Sequence, residues 1–435
     1  MRTFLALLLL VSALPAQTIT FAQKITVAPA PVDRAALVVR VPCYPFKADP
    51  NHLCAFDESG KEYPLQEEVL NWQFLTKEER AQETERRTAE VVAVVEGRIP
   101  KDPFRHMLLT LGFVPANKTV RLEVRKRDNL HKVTEVSDAQ ENRVMTIDGK
   151  ACLTYRVDKK NKPRPDISDD ILRAGYLHPV RSPSGAIVTG DYPANHPHHH
   201  GIWTPYTKAV FQGRETDFWN MQNKKGRVDL VGHGFSPGSG AVFGKFDAMT
   251  GMVDLTGPKE IVALWDSWNV LLYDIPGTPK PMVVFDLITE QSCATNDPLE
   301  LPEYRYGGFG LRGPDEWNGK DGARFLTSEG LTDRIKGDGT RARWCYLGGK
   351  TSAGISGTAV LGFPENFRFP MPLRLHPDMP YFSIVPQKLG AFKIEPGKHY
   401  VTRYRFIVTD GEPDAKLFDA CWNSLAHPAK VSFSN

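Results

Sequence analysis

Short segments rich in Val, Ile, Tyr and Phe recur along most of the chain, separated by glycine and proline. In residues 400–408 every second position carries Tyr, Thr, Phe or Val, which places three aromatic rings on one face. A period of two residues is that of a β-strand. Other short apolar segments bounded by turn residues occupy residues 35–41, 119–124, 252–255, 282–287 and 358–361. The pattern predicts an all-β protein.

One stretch departs from this pattern. Residues 76–95 contain neither glycine nor proline and are dense in Glu, Arg and Ala, a composition that favours an α-helix. Thr76 and Glu79 have the spacing of a capping box, which marks a helix start. We therefore expect one helix inserted into an N-terminal β-domain, with residues 91–95 returning to a strand.

The chain also shows a candidate domain boundary near Val133. A small β-unit begins near Lys24 and closes with residues 117–127, and a polar turn over residues 137–141 precedes a new strand at 143. We predict a small β-sandwich domain over residues 24–133 and a large two-sheet β-sandwich over residues 134–425, which is long enough for such a fold.

The N-terminal pattern is that of a secretory signal peptide. Arg2 precedes an apolar stretch over residues 4–14, and Ala22 is a suitable cleavage residue, so residues 1–22 are predicted to be removed. Beyond them no segment approaches the ~18 apolar residues of a membrane helix. The sequence predicts an exported protein, periplasmic or extracellular, with no membrane span in the mature chain.

Charge and cysteine content narrow the function further. The 54 basic and 51 acidic residues give a net charge of only +3 and are intermixed, which argues against a nucleic-acid partner. Of the six cysteines only Cys43 and Cys54 are close in sequence, where a disulfide could close a loop. Isolated buried thiols are the expectation for Cys152, Cys293, Cys345 and Cys421.

Four of the 12 histidines lie between Asn195 and Gly201. In an extended conformation His196, His198 and His200 would share one face and His199 the other. Neutral imidazole is both an acid/base group near neutral pH and the commonest metal ligand. The run predicts a functional cluster, either for acid/base chemistry or for a divalent transition metal; the alternative is a loop of structural histidines.

Carboxylates and an aromatic ring stand together shortly after the histidines, at Glu215, Asp217 and Trp219. This combination suits a polyhydroxylated ligand, because a sugar face stacks on Trp and acids accept hydrogen bonds from hydroxyl groups. Either acid is a candidate for proton transfer. The alternative is a surface hairpin with Trp219 packed in the core.

Residues 308–313 have the G-x-G-x-x-G spacing of a dinucleotide-binding loop, but Pro314 follows where that motif requires a helix. A strand that carries Arg312 into a cavity explains the glycines better, since its guanidinium can hold a carboxylate or adjacent sugar hydroxyls. The alternative for Arg312 is a structural salt bridge. His233, between glycines, and His376 are lone histidines that are further candidates.

The sequence resembles the PmoA-like family of bacterial proteins over approximately residues 140–410. The resemblance rests on the segments His196–Gly201, Asp217–Trp219, His233, Tyr306–Gly308 with Leu311 and Arg312, Trp344–Cys345 and Phe363–Asn366. Many members read Pro-His-His-Arg-Gly, so His200 here replaces an arginine. This favours His198 and His199 as the essential pair.

The family label points to a membrane methane monooxygenase, which is a bundle of membrane helices that this sequence does not predict. The resemblance instead implies a large two-sheet supersandwich similar to galactose mutarotases, and it implies carbohydrate chemistry.

Together these features predict an exported carbohydrate-active enzyme with epimerase-like or lyase-like acid/base chemistry on a small-molecule or oligosaccharide ligand. The predicted catalytic residues are His198, His199, Glu215 and Asp217, and the predicted substrate-binding residues are His196, Trp219, Arg312 and His233. The alternatives are a non-catalytic carbohydrate-binding protein and a metal-dependent enzyme. All of them require these residues to converge on one pocket, with the N-terminal domain outside it.

Overall fold

The computed structural model describes residues 24–42, 52–68, 85, 106–127, 132–139, 142–157, 162, 164–233 and 238–434. The predicted signal peptide lies outside the described residues, as does the predicted inserted helix except for Glu85. Cys43 is also outside them, whereas Cys54 is a buried free thiol and Cys152, Cys345 and Cys421 are buried free thiols as expected.

The described residues form 29 strands and two α-helices, so the all-β prediction is confirmed. The strands of the first third are β1 Lys24–Val27, β2 Arg34–Pro42, β3 Leu53–Phe56, β4 Glu62–Pro64, β5 Gln66–Glu68, β6 His106–Val114, β7 Val120–Lys126, β8 Thr134–Ala139, β9 Asn142–Ile147 and β10 Lys150–Arg156. The central strands are β11 Tyr176–Val180, β12 Ile202–Trp203, β13 Ala209–Phe211, β14 Arg214–Thr216, β15 Gly226–His233, β16 Phe243–Asp254, β17 Ile261–Tyr273, β18 Met282–Cys293, β19 Leu299–Leu301 and β20 Phe309–Arg312. The last strands are β21 Ala323–Thr327, β22 Arg341–Ala342, β23 Trp344–Thr351, β24 Gly354–Gly362, β25 Met371–Leu375, β26 Tyr381–Ile384, β27 Phe392–Ile394, β28 Tyr400–Asp410 and β29 Val431–Ser434; the helices are α1 Arg334–Gly337 and α2 Ala415–Ala426.

Two large antiparallel sheets pack face to face as a β-sandwich. The nine-stranded sheet has the order β22-β25-β26-β20-β12-β11-β10-β9-β8, and the eight-stranded sheet has the order β15-β16-β17-β18-β28-β24-β23-β21. Apolar side chains from both sheets fill the space between them, including Phe285 and Phe406, whose rings stack at 4.4 Å. A four-stranded sheet, β14-β13-β19-β27, lies beside these two.

Residues 137–139 belong to strand β8, which pairs with β9, so the polar turn predicted over residues 137–141 is wrong for these three residues. Residues 140 and 141 lie outside the described residues. The exposed Ser137 is tolerated because β8 is the edge strand of its sheet.

Strand β28 shows why the alternating pattern was informative. Tyr404, Phe406 and Val408 point into the core between the large sheets, as the aromatic positions predicted. The opposite face of β28 is buried too, because the N-terminal strands and α2 cover it. Arg405 on that face is therefore almost fully buried and forms an ion pair with Asp286.

The N-terminal strands form a separate small unit with its own apolar core. Its two sheets have the orders β29-β1-β7-β3-β4 and β2-β6-β5. The unit includes β29, which lies beyond the boundary at residue 425 that the sequence suggested, and β29 pairs with β1 so that Lys24 is opposite Ser434. Residues of β2 and β6 pack against the outer face of the eight-stranded sheet.

Among the described residues no helix has both the length and the apolar character that crossing a membrane requires.

Candidate functional site

The histidine run lies in a double turn that leads into β12, not in an extended segment. The backbone N–H of His196 donates to the carbonyl of Pro193 at 3.0 Å, and that of His199 donates to the carbonyl of His196 at 2.9 Å. These turns break the alternation assumed for an extended chain. The predicted facing of the histidines is therefore wrong: His196, His198 and His199 share one pocket, and His200 points away from it.

The three pocket histidines are in mutual ring contact. The ring centroids of His198 and His199 are 4.9 Å apart, and that of His196 is 5.1 Å from His199 and 5.5 Å from His198. A fourth ring comes from the loop between β25 and β26, where His376 lies 6.3 Å from His196. Four imidazoles therefore face one space, although His376 is far from the run in sequence.

The pocket has a volume of about 230 Å³ and opens on the outer face of the nine-stranded sheet. Its other lining residues are aromatic or neutral polar, apart from one methionine: Thr207, Trp219, Asn220, Tyr304, Tyr306, Met379 and Tyr381. No carboxylate, lysine or arginine is among the described residues that line it. Besides histidine, the wall thus offers flat aromatic faces, hydroxyl groups and an amide.

Period-two alternation places the rings of Trp203 and Tyr381 on the outer face of the nine-stranded sheet. In β12, Ile202 enters the core between the sheets while Trp203 faces outward, and Tyr381 in β26 faces outward beside it at 5.7 Å. The indole N–H of Trp219 donates to the carbonyl of His198 at 2.9 Å, which joins the wall to the histidine turn. The alternative in which Trp219 merely packs in the core is therefore incomplete, because the ring is buried and also lines the pocket.

The glycines of residues 308–313 are required for packing inside the protein. A Cβ atom at Gly310 would lie 3.0 Å from the ring of Trp203, and one at Gly308 would lie 2.2 Å from the carbonyl oxygen of Ile384. A Cβ atom at Gly313 would lie 2.5 Å from the ring of Trp317. The strand ends in a 3-10 turn over Asp315–Trp317, which differs from the α-helix of a dinucleotide-binding loop.

Asp217 holds the pocket wall and does not face the pocket. Its carboxylate accepts hydrogen bonds from the backbone N–H groups of Trp219 and Asn220 at 2.9 and 2.8 Å. It also accepts from the side-chain amide of Asn220 at 2.8 Å and from the hydroxyl of Thr207 at 3.3 Å. A carboxylate with so many donors positions its neighbours, and this leaves it poorly placed to transfer a proton to a ligand.

Two other predicted residues, Glu215 and His233, lie on strands outside the nine-stranded sheet. Glu215 lies in β14, is half exposed and pairs with Lys225 at 3.0 Å. His233 lies in β15 of the eight-stranded sheet, where its backbone pairs with Ala248, whereas the pocket is on the nine-stranded sheet. Glu215 is not among the described residues that line the pocket.

Arg312 lies beneath the histidines and is fully buried. Its guanidinium donates to Asp315 at 2.7 Å and to the side chain of Asn318 at 3.0 Å, so the salt-bridge alternative holds for one of its amino groups. The other, Nη1, is buried and has no hydrogen-bond partner among the described residues. Arg312 therefore supplies charge below the pocket but does not line it.

Residues 143–423 match a family of unknown function, DUF6807, over well more than half of the chain. The chain belongs to the DUF6807 family. No curated protein matches it. The matched segment contains all the residues that line the pocket, whereas strands β1–β7 and β29 lie outside it. The pocket is thus a feature of the DUF6807 domain itself.

Burial keeps the histidines of this DUF6807 pocket neutral. Burial, and then the neighbouring imidazoles of His196 and His200, lower the pKa of His198 to about 4. Burial and then the charge of Arg374 lower the pKa of His376 to about 4. Burial also lowers the pKa of His196 and His199, and Arg312 adds to the effect. At neutral pH each ring therefore has one N–H donor and one acceptor nitrogen.

The acceptor nitrogen of His376 is used within its loop. Its Nδ1 accepts the backbone N–H groups of Asp378 and Met379 at 3.2 and 3.1 Å, so the proton of the neutral ring is on Nε2. By contrast, Nδ1 of His196 and of His199 are buried without a hydrogen-bond partner in the described part of the chain. Buried polar atoms without partners are uncommon and often mark functional sites.

His200 belongs to a buried network behind the pocket. Its Nδ1 lies 3.0 Å from Asp191, whose other oxygen accepts from the hydroxyl of Tyr176 at 3.0 Å. Burial lowers the pKa of His200. Burial opposes ionisation of Asp191, but hydrogen bonds from His200 and Tyr176 outweigh it and lower the pKa of that carboxyl. An anionic Asp191 therefore holds a neutral His200, which supports the lesser role that the sequence gave this histidine.

The histidines do not form a metal site by their geometry. Across the described ranges, no group of three or more His, Cys, Asp or Glu side chains is arranged to hold a metal ion. The donor set among the described residues therefore does not fit the divalent transition metal considered from sequence.

Because these histidines are neutral in the folded protein, the free energy of unfolding is expected to decrease as the pH falls. His198 and His376 have a pKa of about 4 in the folded chain against an ordinary value of 6.5, so the unfolded chain takes up protons first as the pH falls. Their contribution is complete above pH ~6.5 and is lost towards pH ~4. We expect a loss on the order of 2–3 kcal/mol between pH 7 and pH 4.5, after allowance for partial solvent screening.

Urea unfolding at the two pH values measures this loss. His376→Asn keeps an acceptor for the two loop amides and should make the loss smaller, whereas replacing the exposed His427 by Asn should not change it. An identical pH dependence in His376→Asn and in the parent protein would contradict the expectation.

Proposed function

We propose that this DUF6807 protein is an exported carbohydrate-active protein that acts on a sugar or sugar derivative by acid/base chemistry. One observation carries the proposal: four neutral imidazoles, His196, His198, His199 and His376, meet in one pocket whose remaining wall is largely aromatic. The resemblance to PmoA-like proteins and to galactose-mutarotase-like sandwiches supports the same class.

The wall suits a sugar ring. Trp219 and Tyr306 lie with their centroids 5.9 Å apart and nearly perpendicular, so they form a corner in which the C–H face of a ring can stack. Asn220 and Thr207 place an amide and a hydroxyl at the same wall, where they can hydrogen-bond to ligand hydroxyls. The volume of about 230 Å³ is below the usual range for drug-sized ligands and fits a single small unit.

Epimerisation and elimination both require one group that removes a proton and another that donates one. Two neutral imidazoles at 4.9 Å, His198 and His199, provide both functions, because a free ring nitrogen accepts and an N–H donates. His376, with its proton on Nε2, is a further donor. These rings take the part that the sequence gave to Glu215 or Asp217.

A second candidate is a non-catalytic sugar-binding protein. A pKa of about 4 makes His198 and His376 weak bases at neutral pH, and proton transfer is most efficient when the pKa lies near the working pH. A bound ligand that supplies a negative charge would raise these pKa values. Both candidate functions predict that a sugar binds, but only the enzyme predicts turnover.

A panel of hexoses, uronates and short oligosaccharides in D₂O tests the proposal. Saturation-transfer NMR detects binding, and incorporation of deuterium at a sugar carbon, or a new product, detects turnover. We expect at least one sugar to bind and react, and Trp219→Ala to weaken its binding by about tenfold or more through loss of the stacking surface.

Glu215→Gln is the matched control for that panel, because Glu215 is outside the pocket, and it should behave as the parent protein. Binding without turnover in the parent protein would favour the binding module. Absence of binding across the whole panel would reject the carbohydrate class.

A further inference from the structure

Positive charge surrounds this pocket although none lines it. The amino group of Lys208 lies 5.5 Å from the ring centre of Tyr304, and the guanidinium groups of Arg305 and Arg374 lie 5.0 and 5.2 Å from that of Tyr306. Both tyrosines line the pocket. Three cations are thus held against its wall by cation–π contacts.

Two of these cations are not neutralised by the protein. Arg374 pairs with Asp338 at 3.2 Å, but Lys208 and Arg305 have no ion pair with any described acid. Arg305 is exposed and Lys208 partly so, and each is next to a pocket tyrosine in space. A cation without a counter-charge at the mouth of a site raises the local concentration of anions.

A fourth cation, Arg312, adds positive charge beneath the pocket. Arg312 is fully buried, its partner Asp315 is half exposed to solvent, and its Nη1 has no hydrogen-bond partner among the described residues. Water screens the exposed carboxylate more than the buried guanidinium, so the charge of Arg312 is felt within the pocket.

The nearby acids do not cancel this field. Asp217 is surrounded by four donors behind Trp219, and Asp191 is held by His200 and Tyr176. Besides neighbouring imidazoles, Arg312 is the charged group that acts on the pKa of His196 and of His199, and it lowers both. Asp378 is the one of these acids that acts on a pocket histidine: it raises the pKa of His376, whereas Arg374 lowers it.

We infer that the sugar bound by this pocket carries a negative charge, and this inference rests on the proposed function. The ring stacks on the aromatic wall, and its anionic group faces Lys208 and Arg305 at the mouth. A carboxylate, as in a uronate, and a sulfate ester share this chemistry. The anion also offers the histidines a counter-charge, which opposes the lowering of their pKa by burial.

Matched pairs of sugars test the inference by titration calorimetry at low salt. D-galacturonate and D-glucuronate are compared with D-galactose and D-glucose, galactose 6-sulfate tests the ester, and acetate and inorganic sulfate are the sugar-free anions. We expect a uronate or the sulfated sugar to bind about tenfold or more tightly than its neutral counterpart, and this advantage to shrink as NaCl is added.

Lys208→Gln combined with Arg305→Gln should remove the advantage without changing the affinity for the neutral sugar. Lys150→Gln, a change at an exposed lysine in the β9–β10 hairpin, is the control. This variant should still bind the charged sugar more tightly than the neutral one. Far-ultraviolet circular dichroism confirms that the double variant is folded.

The outcomes separate the two proposals. Neutral sugars that bind as tightly as the charged ones would overturn the charge inference and leave the proposed function standing. Acetate or inorganic sulfate that binds as tightly as the charged sugars would overturn the carbohydrate assignment and keep an anion site. A preference for galactose 6-sulfate over the uronates supports the inference and assigns the anionic group to a sulfate ester.

Discussion

Arg405→Ala is expected to lower the free energy of unfolding by about 3–5 kcal/mol, the cost of leaving a buried carboxylate without its partner. Arg405 and Asp286 form a two-pronged ion pair with N–O distances of 2.7 and 2.8 Å, and both are almost fully buried. Arg405 also donates to the carbonyl of Ala36 at 2.9 Å and to Ser424 at 3.3 Å. The substitution therefore weakens the sandwich and its contacts with the N-terminal unit and α2.

Urea unfolding followed by fluorescence measures the loss. Asp286→Leu together with Arg405→Met should recover much of the stability, because a buried ion pair replaced by apolar groups of similar size is often neutral. Lys225→Ala removes the exposed pair with Glu215 and should cost less than about 1 kcal/mol. A loss in Arg405→Ala no larger than that of Lys225→Ala would contradict the argument.

His198→Ala and His199→Ala are each expected to lower turnover by about 10²–10⁴-fold, the usual contribution of a positioned acid or base. Both rings line the pocket in mutual contact, and a methyl group can neither accept nor donate a proton. The substrate identified by the sugar panel is the one to use, with steady-state rates measured at neutral pH.

His427→Ala, a change at an exposed histidine outside the pocket, is the control and should retain full turnover. Since the indole of Trp219 donates to the carbonyl of His198, an unchanged KM in His198→Ala would show that the wall is intact. Full turnover in both pocket variants would remove these histidines from the chemistry.

Much of the fold was predictable because strand patterns are local. Residues 400–408, identified by their alternation, and residues 358–361, identified as a short apolar segment, are parts of β28 and β24. The pairing of those two strands, and of β1 with β29, could not be read from sequence, since it joins segments that are distant in the chain. For the same reason β29 was not assigned to the small unit.

The site was predicted only in part. The histidine run stood out by composition, but its turns depend on backbone hydrogen bonds from His196 and His199 that alternation does not show. His376 had no local signal, because a lone histidine is usually structural. Tyr381 was not predicted as a site residue because an aromatic residue in a strand is by default a core residue. Tyr306 lies in the loop between β19 and β20, and its segment entered only through the family resemblance.

Asp217 was identified from the sequence as a candidate for proton transfer, whereas its hydrogen bonds indicate a positioning role. Acids that precede a turn commonly accept the backbone N–H groups two and three residues later, which is what Asp217 does with Trp219 and Asn220. That local signal was present in the sequence. A carboxylate beside an aromatic residue should therefore first be tested as a turn former.

The pairing of β1 with β29 has a consequence for biogenesis. A ribosome releases the first strand of the small unit long before the last one, and the large sandwich is made in between. Until β29 arrives, β1 leaves one edge of its sheet unpaired, and an open edge is a template for association with other chains. Closure of this unit is thus a late event in synthesis, and a protein that loses residues 431–434 is expected to aggregate through β1.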